Sequence, residues 1–239
     1  MEILQFLGRF LNTLFPEKCV ICKKGLNAIC DDCKEKIIPI TWQCLKCGYP
    51  SKKNHVPFCE NCLLEEVVPD LIISLFTYEK ISPVIINLKE KGSLKAKKAL
   101  KELLEKYLPK KLEIMDYLSP AETVLTRVPN HPLKVLKRGN DHTLEIAKMI
   151  SKLTGYRFVD GIITKEKLTP SQKGLTREER IKSIKDSFSC KTKIPFKNLI
   201  IVDDVITTMA TVNEVSKKVK NLNPHVRIIA ITIARATVK

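Results

Sequence analysis

Eight cysteines fall between residues 19 and 62, in four pairs with two residues between partners: Cys19/Cys22, Cys30/Cys33, Cys44/Cys47 and Cys59/Cys62. Each gap lets both sulfurs reach one metal ion from a tight turn. Zinc takes four soft ligands in a tetrahedron, and thiolates meet that preference. The eight cysteines therefore read as two structural zinc sites of four thiolates each. Sequential pairing puts Cys19, Cys22, Cys30 and Cys33 on one ion and Cys44, Cys47, Cys59 and Cys62 on the other. Interleaved pairing satisfies the same count. Gly25 and Gly48 follow their pairs, where a knuckle turn often needs positive φ. A lone CxxC can serve redox chemistry, but four in so short a span point to metal. A zinc with four thiolates has no open position, so the expected role is to fold a segment too small for its own core. His55 reads as a loop residue and not as a ligand.

Charge divides the chain in the opposite sense. Residues 1–70 hold nine basic and nine acidic side chains, and residues 71–239 hold 33 against 17, which accounts for the whole formal charge of +16. Two compositions predict two domains, 1–69 and 70–239, with the boundary near Pro69. The basic part should attract a polyanion. No uncharged apolar run reaches the roughly 18 residues that a membrane helix needs. The opening stretch MEILQFLGRFLNTLF lacks a basic start and a small-residue cleavage site, so it is not read as an export signal. Its Ile3, Leu7, Phe10, Leu11 and Leu14 recur at helical spacing and predict an amphipathic helix. Without export, a reducing cytoplasm is expected, where clustered cysteines favour metal over disulfides.

The second part alternates strands and helices. Strands are predicted at 71–78, 123–129, 157–163, 198–204 and 227–234. Helices are predicted over 85–107, with a Gly92-Ser93 break, and over 141–153 and 210–220. The run NLIIVDD reads as a fully buried parallel strand. This order predicts a doubly wound α/β sheet with helices on both faces.

The segment LIIVDDVITTMATVNE (199–214) is a buried strand, two carboxylates, a short loop and a helix. In such sheets ligands sit at the carboxyl ends of strands. Asp203 and Asp204 fall there, and adjacent carboxylates are costly unless something uses them. They can accept hydrogen bonds from the vicinal hydroxyls of a ribose, or hold magnesium through water. Thr207, Thr208, Met209, Ala210 and Thr211 then open the next helix, where backbone N–H groups and the helix dipole suit a phosphate.

V-D-D-V-x-T-T-x-A-T (202–211) resembles the phosphoribosyl pyrophosphate (PRPP) loop of type I phosphoribosyltransferases. Joined to four CxxC pairs, it resembles the ComF family, competence-associated proteins similar to amidophosphoribosyltransferases. FTYEKISPVIINLKEKG, TRVPNHPLKVLKRGNDHTLEIA and TPSQKGLTREERIKSIKDSF are similar to further stretches of that family. The resemblance spans essentially the whole chain. It implies a double zinc ribbon ahead of a type I phosphoribosyltransferase-like sheet. It also implies that Asp203 and Asp204 hold the ribose hydroxyls and that Thr207, Thr208, Ala210 and Thr211 cradle the 5-phosphate. Lys89 and Gly92 match the pyrophosphate-binding stretch, and 169–180 a mobile loop that closes over the site. The superfamily's reaction displaces pyrophosphate from the anomeric carbon by a nitrogen nucleophile, with magnesium on the pyrophosphate.

This chain departs from the family at three places. Met209 stands where the loop usually has Gly, and positive φ is costly for it. Its side chain either crowds the phosphate or points outward. Asn140-Asp141-His142 replaces an aromatic-Asn-Gln, and Ser183 replaces an Asn. No base-recognition element is legible.

The family name implies handling of incoming single-stranded DNA. Lys89, Lys91, Lys95, Lys97, Lys98, Lys101 and Lys106 form one basic stretch. Lys134, Lys137 and Arg138 form a second, and Lys173, Arg177 and Arg180 a third. Such a surface can track a phosphate backbone without sequence preference. Tyr78, Tyr107, Tyr117, Tyr156 and Phe158 are the aromatic candidates for stacking, although most suit a core better. Two expectations follow. The first is a DNA-uptake accessory protein that binds single-stranded DNA and PRPP, with DNA-uptake machinery proteins as partners. The second is an active phosphoribosyltransferase on an unidentified nitrogen acceptor.

Overall fold

The apolar run at Asn198–Ile206 (β6) lies at the centre of a five-stranded parallel sheet, buried along its whole length except at Val205. The computed structural model describes residues 18–24, 27–60, 62, 66–169 and 176–237, with Arg177 described in its backbone alone. The predicted helix over 1–15, Gly25, Lys173 and the centre of the predicted mobile loop (170–175) lie outside the described residues.

The first elements are a short helix, α1 (Asp31–Lys36), then β1 (Leu71–Thr77), α2 (Tyr78–Lys91) and α3 (Leu94–Leu112). Next come β2 (Thr123–Arg127), α4 (Pro132–Arg138), α5 (His142–Thr154) and β3 (Arg157–Phe158). A two-stranded antiparallel ribbon pairs β4 (Ile163–Lys165) with β5 (Phe188–Cys190), and α6 (Arg177–Ile184) lies between them in sequence. The chain ends with β6, α7 (Ala210–Leu222) and β7 (Arg227–Arg235). Strand order is β1-β7-β6-β2-β3.

Strand alternation sends side chains to two faces. Ile73, Leu75, Leu125, Ile200, Val202, Ile229 and Ile231 share one core with α2, α3 and α5. Val124, Leu199, Ile201 and Ile228 meet α7, α6 and the β4–β5 ribbon on the other face. Helices thus cover both faces, as the near-continuous apolar strands require. The first cysteine set belongs to the α2–α3 side, where Cys19, Val20, Ala28, Ile29 and Cys33 join the core.

Residues 39–45 close the outer edge of β1. Pro39 bridges Phe76, Ile40 N–H donates to Leu75 O (2.8 Å), and Ile72 N–H donates to Leu45 O (2.9 Å). The buried Gln43 side chain donates to Ile72 O (2.6 Å) and accepts from Ser74 N–H (3.3 Å). An edge strand that would otherwise offer unpaired backbone is thereby covered.

Two sequence expectations are corrected in part. The strand predicted over 157–163 is interrupted, because only Arg157 and Phe158 pair with β2. The chain then turns at Asp160, whose carboxylate accepts from Arg127 Nε (3.0 Å) and Nη2 (3.2 Å), and Ile163 enters the antiparallel ribbon instead. The basic helix breaks where expected but is longer on both sides. Gly92 caps α2 with φ 55°, and Ser93 caps α3 by accepting from Ala96 N–H (3.3 Å).

Candidate functional site and the two cysteine centres

The connections from β2 and β6, which are neighbours, leave in opposite directions: β2 leads outward to β3, and β6 leads to β7. A crevice opens at the carboxyl ends of two such strands. Asp203 and Asp204 stand there on β6, 7% and 6% exposed.

The two carboxylates have different surroundings. Asp204 Oδ2 takes Lys89 Nζ from α2 (3.1 Å) and His142 Nε2 from the first turn of α5 (3.0 Å). Its Oδ1 accepts from Val205 N–H (2.8 Å). Burial pushes this carboxyl up, but Lys89 and His142 outweigh it and hold it well below the usual carboxylate range. Asp203 Oδ1 accepts from Asp204 N–H (2.9 Å). Burial, and then the charge of Asp204, push Asp203 well above the usual range. The two adjacent carboxyls therefore sit in unlike electrostatic surroundings, Asp204 held down by its cations and Asp203 pushed up by burial and by its neighbour.

Cations gather round the pair from three elements. The charge of Asp204 raises Lys89. Lys165 on β4 is lowered to about 8 by burial, within the fields of Lys134, Asp203 and Lys89. Lys134 on α4 is also lowered, by burial and then by Arg138 and Lys89. Cations that disfavour one another across a half-buried crevice are suited to an anion.

Polar groups at the same place lack protein partners. Both amide atoms of Asn140 and Nδ1 of His142 are buried without a hydrogen bond among the described residues. A Cβ on Gly92 would lie 3.0 Å from Asn140 Nδ2, so glycine is what lets the α2 cap approach that amide. Asp141 turns toward β2, accepting from Arg127 Nη1 (2.7 Å), Asn130 Nδ2 (2.8 Å) and Thr143 Oγ1 (2.9 Å).

Thr207, Thr208, Met209, Ala210 and Thr211 line a small hollow with Asp203, at the N-terminus of α7. Arg235 holds the turn from behind, donating from Nη1 to Ile206 O (3.2 Å) and to Thr207 O. Met209 has φ 60° and is 3% exposed. It therefore does not point outward. Its side chain joins a separate small core with Cys44, Cys47, Ile72, Ile206, Val212 and Ala230. A left-handed non-glycine residue costs roughly 1–2 kcal/mol, and burying a methionine contributes about 1.5–3 kcal/mol, so packing offsets the strain.

The cysteines form two groups in the sequential pairing, Cys19, Cys22, Cys30, Cys33 and Cys44, Cys47, Cys59, Cys62, with all sulfurs of each group within 4.8 Å of one another. A zinc–sulfur bond of about 2.3 Å puts tetrahedral sulfurs about 3.8 Å apart. The Cys22–Cys30, Cys44–Cys62 and Cys47–Cys59 separations of 3.7, 3.5 and 3.5 Å fit that edge. Within the second set the Cys47 hydrogen bond lowers Cys44, and the same contact pushes Cys47 up. His55 stands apart, accepting at Nδ1 from Gln43 N–H (3.3 Å) and packing edge-on to Trp42.

Of the residues singled out from sequence, Asp203, Asp204, Lys89 and Gly92 converge on one crevice with the 207–211 turn. The basic stretch on α3 is partly neutralised: Lys97 pairs with Glu145 (3.0 Å) and Lys101 with Glu105 (3.5 Å). Tyr156 is buried, and Tyr78, Tyr107 and Phe158 pack against the core, which leaves Tyr117 as the exposed member of that group. Sequence reasoning missed His142 and Lys165 as members of the crevice and Arg235 behind it. It also missed the exposed aromatics Trp42 and Phe58.

Fold and site together define a parallel α/β protein with a paired-acid, cation-lined crevice and two four-cysteine zinc centres. Residues 10–63 match the double zinc ribbon domain. The chain is 26% identical over 216 residues to competence protein F of Haemophilus influenzae, covering 87% of this chain and 93% of that one. It is 23% identical over 214 residues to the DNA utilization protein YhgH of Escherichia coli K12, covering 84% and 90%. These likenesses over most of the chain, with the ribbon match, support a protein of the competence protein F (ComF) type. A Leishmania donovani adenine phosphoribosyltransferase aligns over 83% of this chain and 77% of its own at 10% identity, with a TM-score of 0.28. At that score the likeness carries no argument.

Proposed function

We propose that this chain is a DNA-uptake accessory protein that binds PRPP with magnesium at the Asp203–Asp204 crevice and single-stranded DNA on its basic surface. The observation that carries the first half is the unlike pair of buried carboxyls beside the 207–211 turn. In this reading the pair takes the ribose hydroxyls, and Thr207, Thr208, Ala210 and Thr211 take the 5-phosphate. Lys89 and Lys165 take the pyrophosphate, and the Asn140 amide gains a partner. Magnesium neutralises pyrophosphate charge when bound. The names of the relatives, competence and DNA utilization, support the second half. So does a net charge of +16.

A second reading is favoured by the number of cations in the crevice: turnover, with pyrophosphate leaving C1 of the sugar as a nitrogen nucleophile attacks. Lys89 and Lys165 would stabilise the leaving charge, and positioning would supply most of the remaining acceleration.

Thermal shift tests the ligand. PRPP and magnesium at 100 times Kd should add about 2.7 kcal/mol of stability. An unmoved melting temperature at millimolar PRPP would overturn the phosphoribosyl reading. Anisotropy of a labelled oligothymidine tests the DNA. Affinity is expected to fall steeply between about 50 and 200 mM salt, and Lys95→Glu/Lys97→Glu/Lys98→Glu is expected to weaken it and flatten the slope. Undiminished, salt-insensitive affinity in that variant would remove α3 as the DNA face.

A further inference from the structure

The family's turn usually carries glycine where this chain has Met209, so the left-handed conformation must be held by something other than backbone freedom. The methionine side chain is 3% exposed and shares its small core with Cys44 and Cys47, both fully buried, and with Ile72 and Ile206. Cys59, Cys62 and Tyr49 pack against the same core. Arg235, which bonds the Ile206 and Thr207 carbonyls, lies over the Tyr49 ring at 5.8 Å. The start of α7 is tied in as well, since Asn213 Oδ1 accepts from Val68 N–H (3.0 Å) and Asn213 Nδ2 donates to Glu66 O (2.7 Å). The second cysteine centre and the 206–211 turn are thus one packed unit.

We infer that Met209 is a positioning residue that ties the phosphate-binding turn to the second zinc centre. Metal in that centre thereby sets the turn's geometry. Zinc fixes Cys44 and Cys47, and these fix one wall of the Met209 site. With the wall loosened, burial no longer offsets the strain at φ 60°, and the turn relaxes. The first centre has no part in this, because Cys19 and Cys33 pack into the core of α2 and α3. Coupling between two sites is reciprocal in binding free energy, so a ligand on the turn must also tighten zinc binding in the second centre, which slower zinc loss would report. This inference rests on the reading of 207–211 as a phosphate turn.

The test is transfer of zinc from the full, zinc-loaded chain to a chromogenic chelator, together with hydrogen exchange of amides 206–211. In Met209→Ala, one of the two ions is expected to leave about tenfold faster, the other at the wild-type rate, with faster exchange confined to the turn. Met209→Leu, which refills the site, is expected to restore both. Wild-type release of both ions and wild-type exchange in Met209→Ala would overturn the tether. The unsubstituted chain gives a second test: PRPP and magnesium are expected to slow one ion, and a PRPP-bound chain releasing both at the free rate would overturn the tether too. If PRPP fails to bind, the functional reading falls, and Met209→Ala without ligand still decides the tether.

Discussion

Asp203 and Asp204 affect stability in opposite directions before any ligand arrives. The folded state lowers Asp204, so its contribution is present above the unfolded value of about 3.9 and is lost as pH falls through the folded value. The folded state raises Asp203, so its contribution is favourable below about 3.9 and is lost as pH rises through the folded value. Asp203→Asn is therefore expected to stabilise the unliganded protein at pH 7 by about 0.5–2 kcal/mol, a gain that vanishes below about pH 4. Asp204→Asn strands Lys89 and His142 and is expected to cost about 1–3 kcal/mol. Melting curves of both variants from pH 4 to 8 check the sign. An acid pair at the end of a buried parallel strand was legible without a structure, since strand alternation and the following helix place it. His142 was not, because its contact with Asp204 joins residues far apart in sequence and depends on α5 packing against β6. Nor was the burial of Met209, since nothing local reveals that a cysteine ribbon lies beneath that turn.

The ribbon and β1 meet at Gly48. Its φ is 70°, and a Cβ there would stand 2.5 Å from Ser74 Oγ and 2.9 Å from Ile72 Cγ2. Gly48→Ala is expected to cost more than about 1 kcal/mol, read as a lower urea midpoint. An unchanged midpoint would mean that the ribbon does not sit against β1 as described. The cysteine spacing announced a knuckle needing positive φ, but its close approach to Ser74 is a tertiary fact. The same division holds for β3. In RFVDGII the Asp160-Gly161 pair, with Gly161 at φ 80°, turns the chain out of the sheet, and what the sequence hides is that Arg127 of β2 holds the Asp160 carboxylate there.

For the whole molecule, composition separated a neutral cysteine-rich part from a basic α/β part, and the alternation of strands and helices was readable. Illegible was the way residues 39–45 extend the sheet by covering β1, because one strand's edge is defined only once the strand order is known. Metal therefore matters beyond the ribbon. Two zinc ions per chain are expected by elemental analysis. Their removal should lower the melting temperature and uncover the β1 edge, with aggregation as the visible consequence. A chelated chain that melts and stays dispersed like the zinc-loaded one would contradict this.

The most direct single measurement is calorimetric titration of the zinc-loaded protein with PRPP and magnesium, repeated on Asp203→Asn/Asp204→Asn. Micromolar binding by the wild type and its loss in the folded, zinc-replete double variant are expected. No binding by the wild type, or equal binding by both proteins, would contradict a phosphoribosyl site at the end of β6.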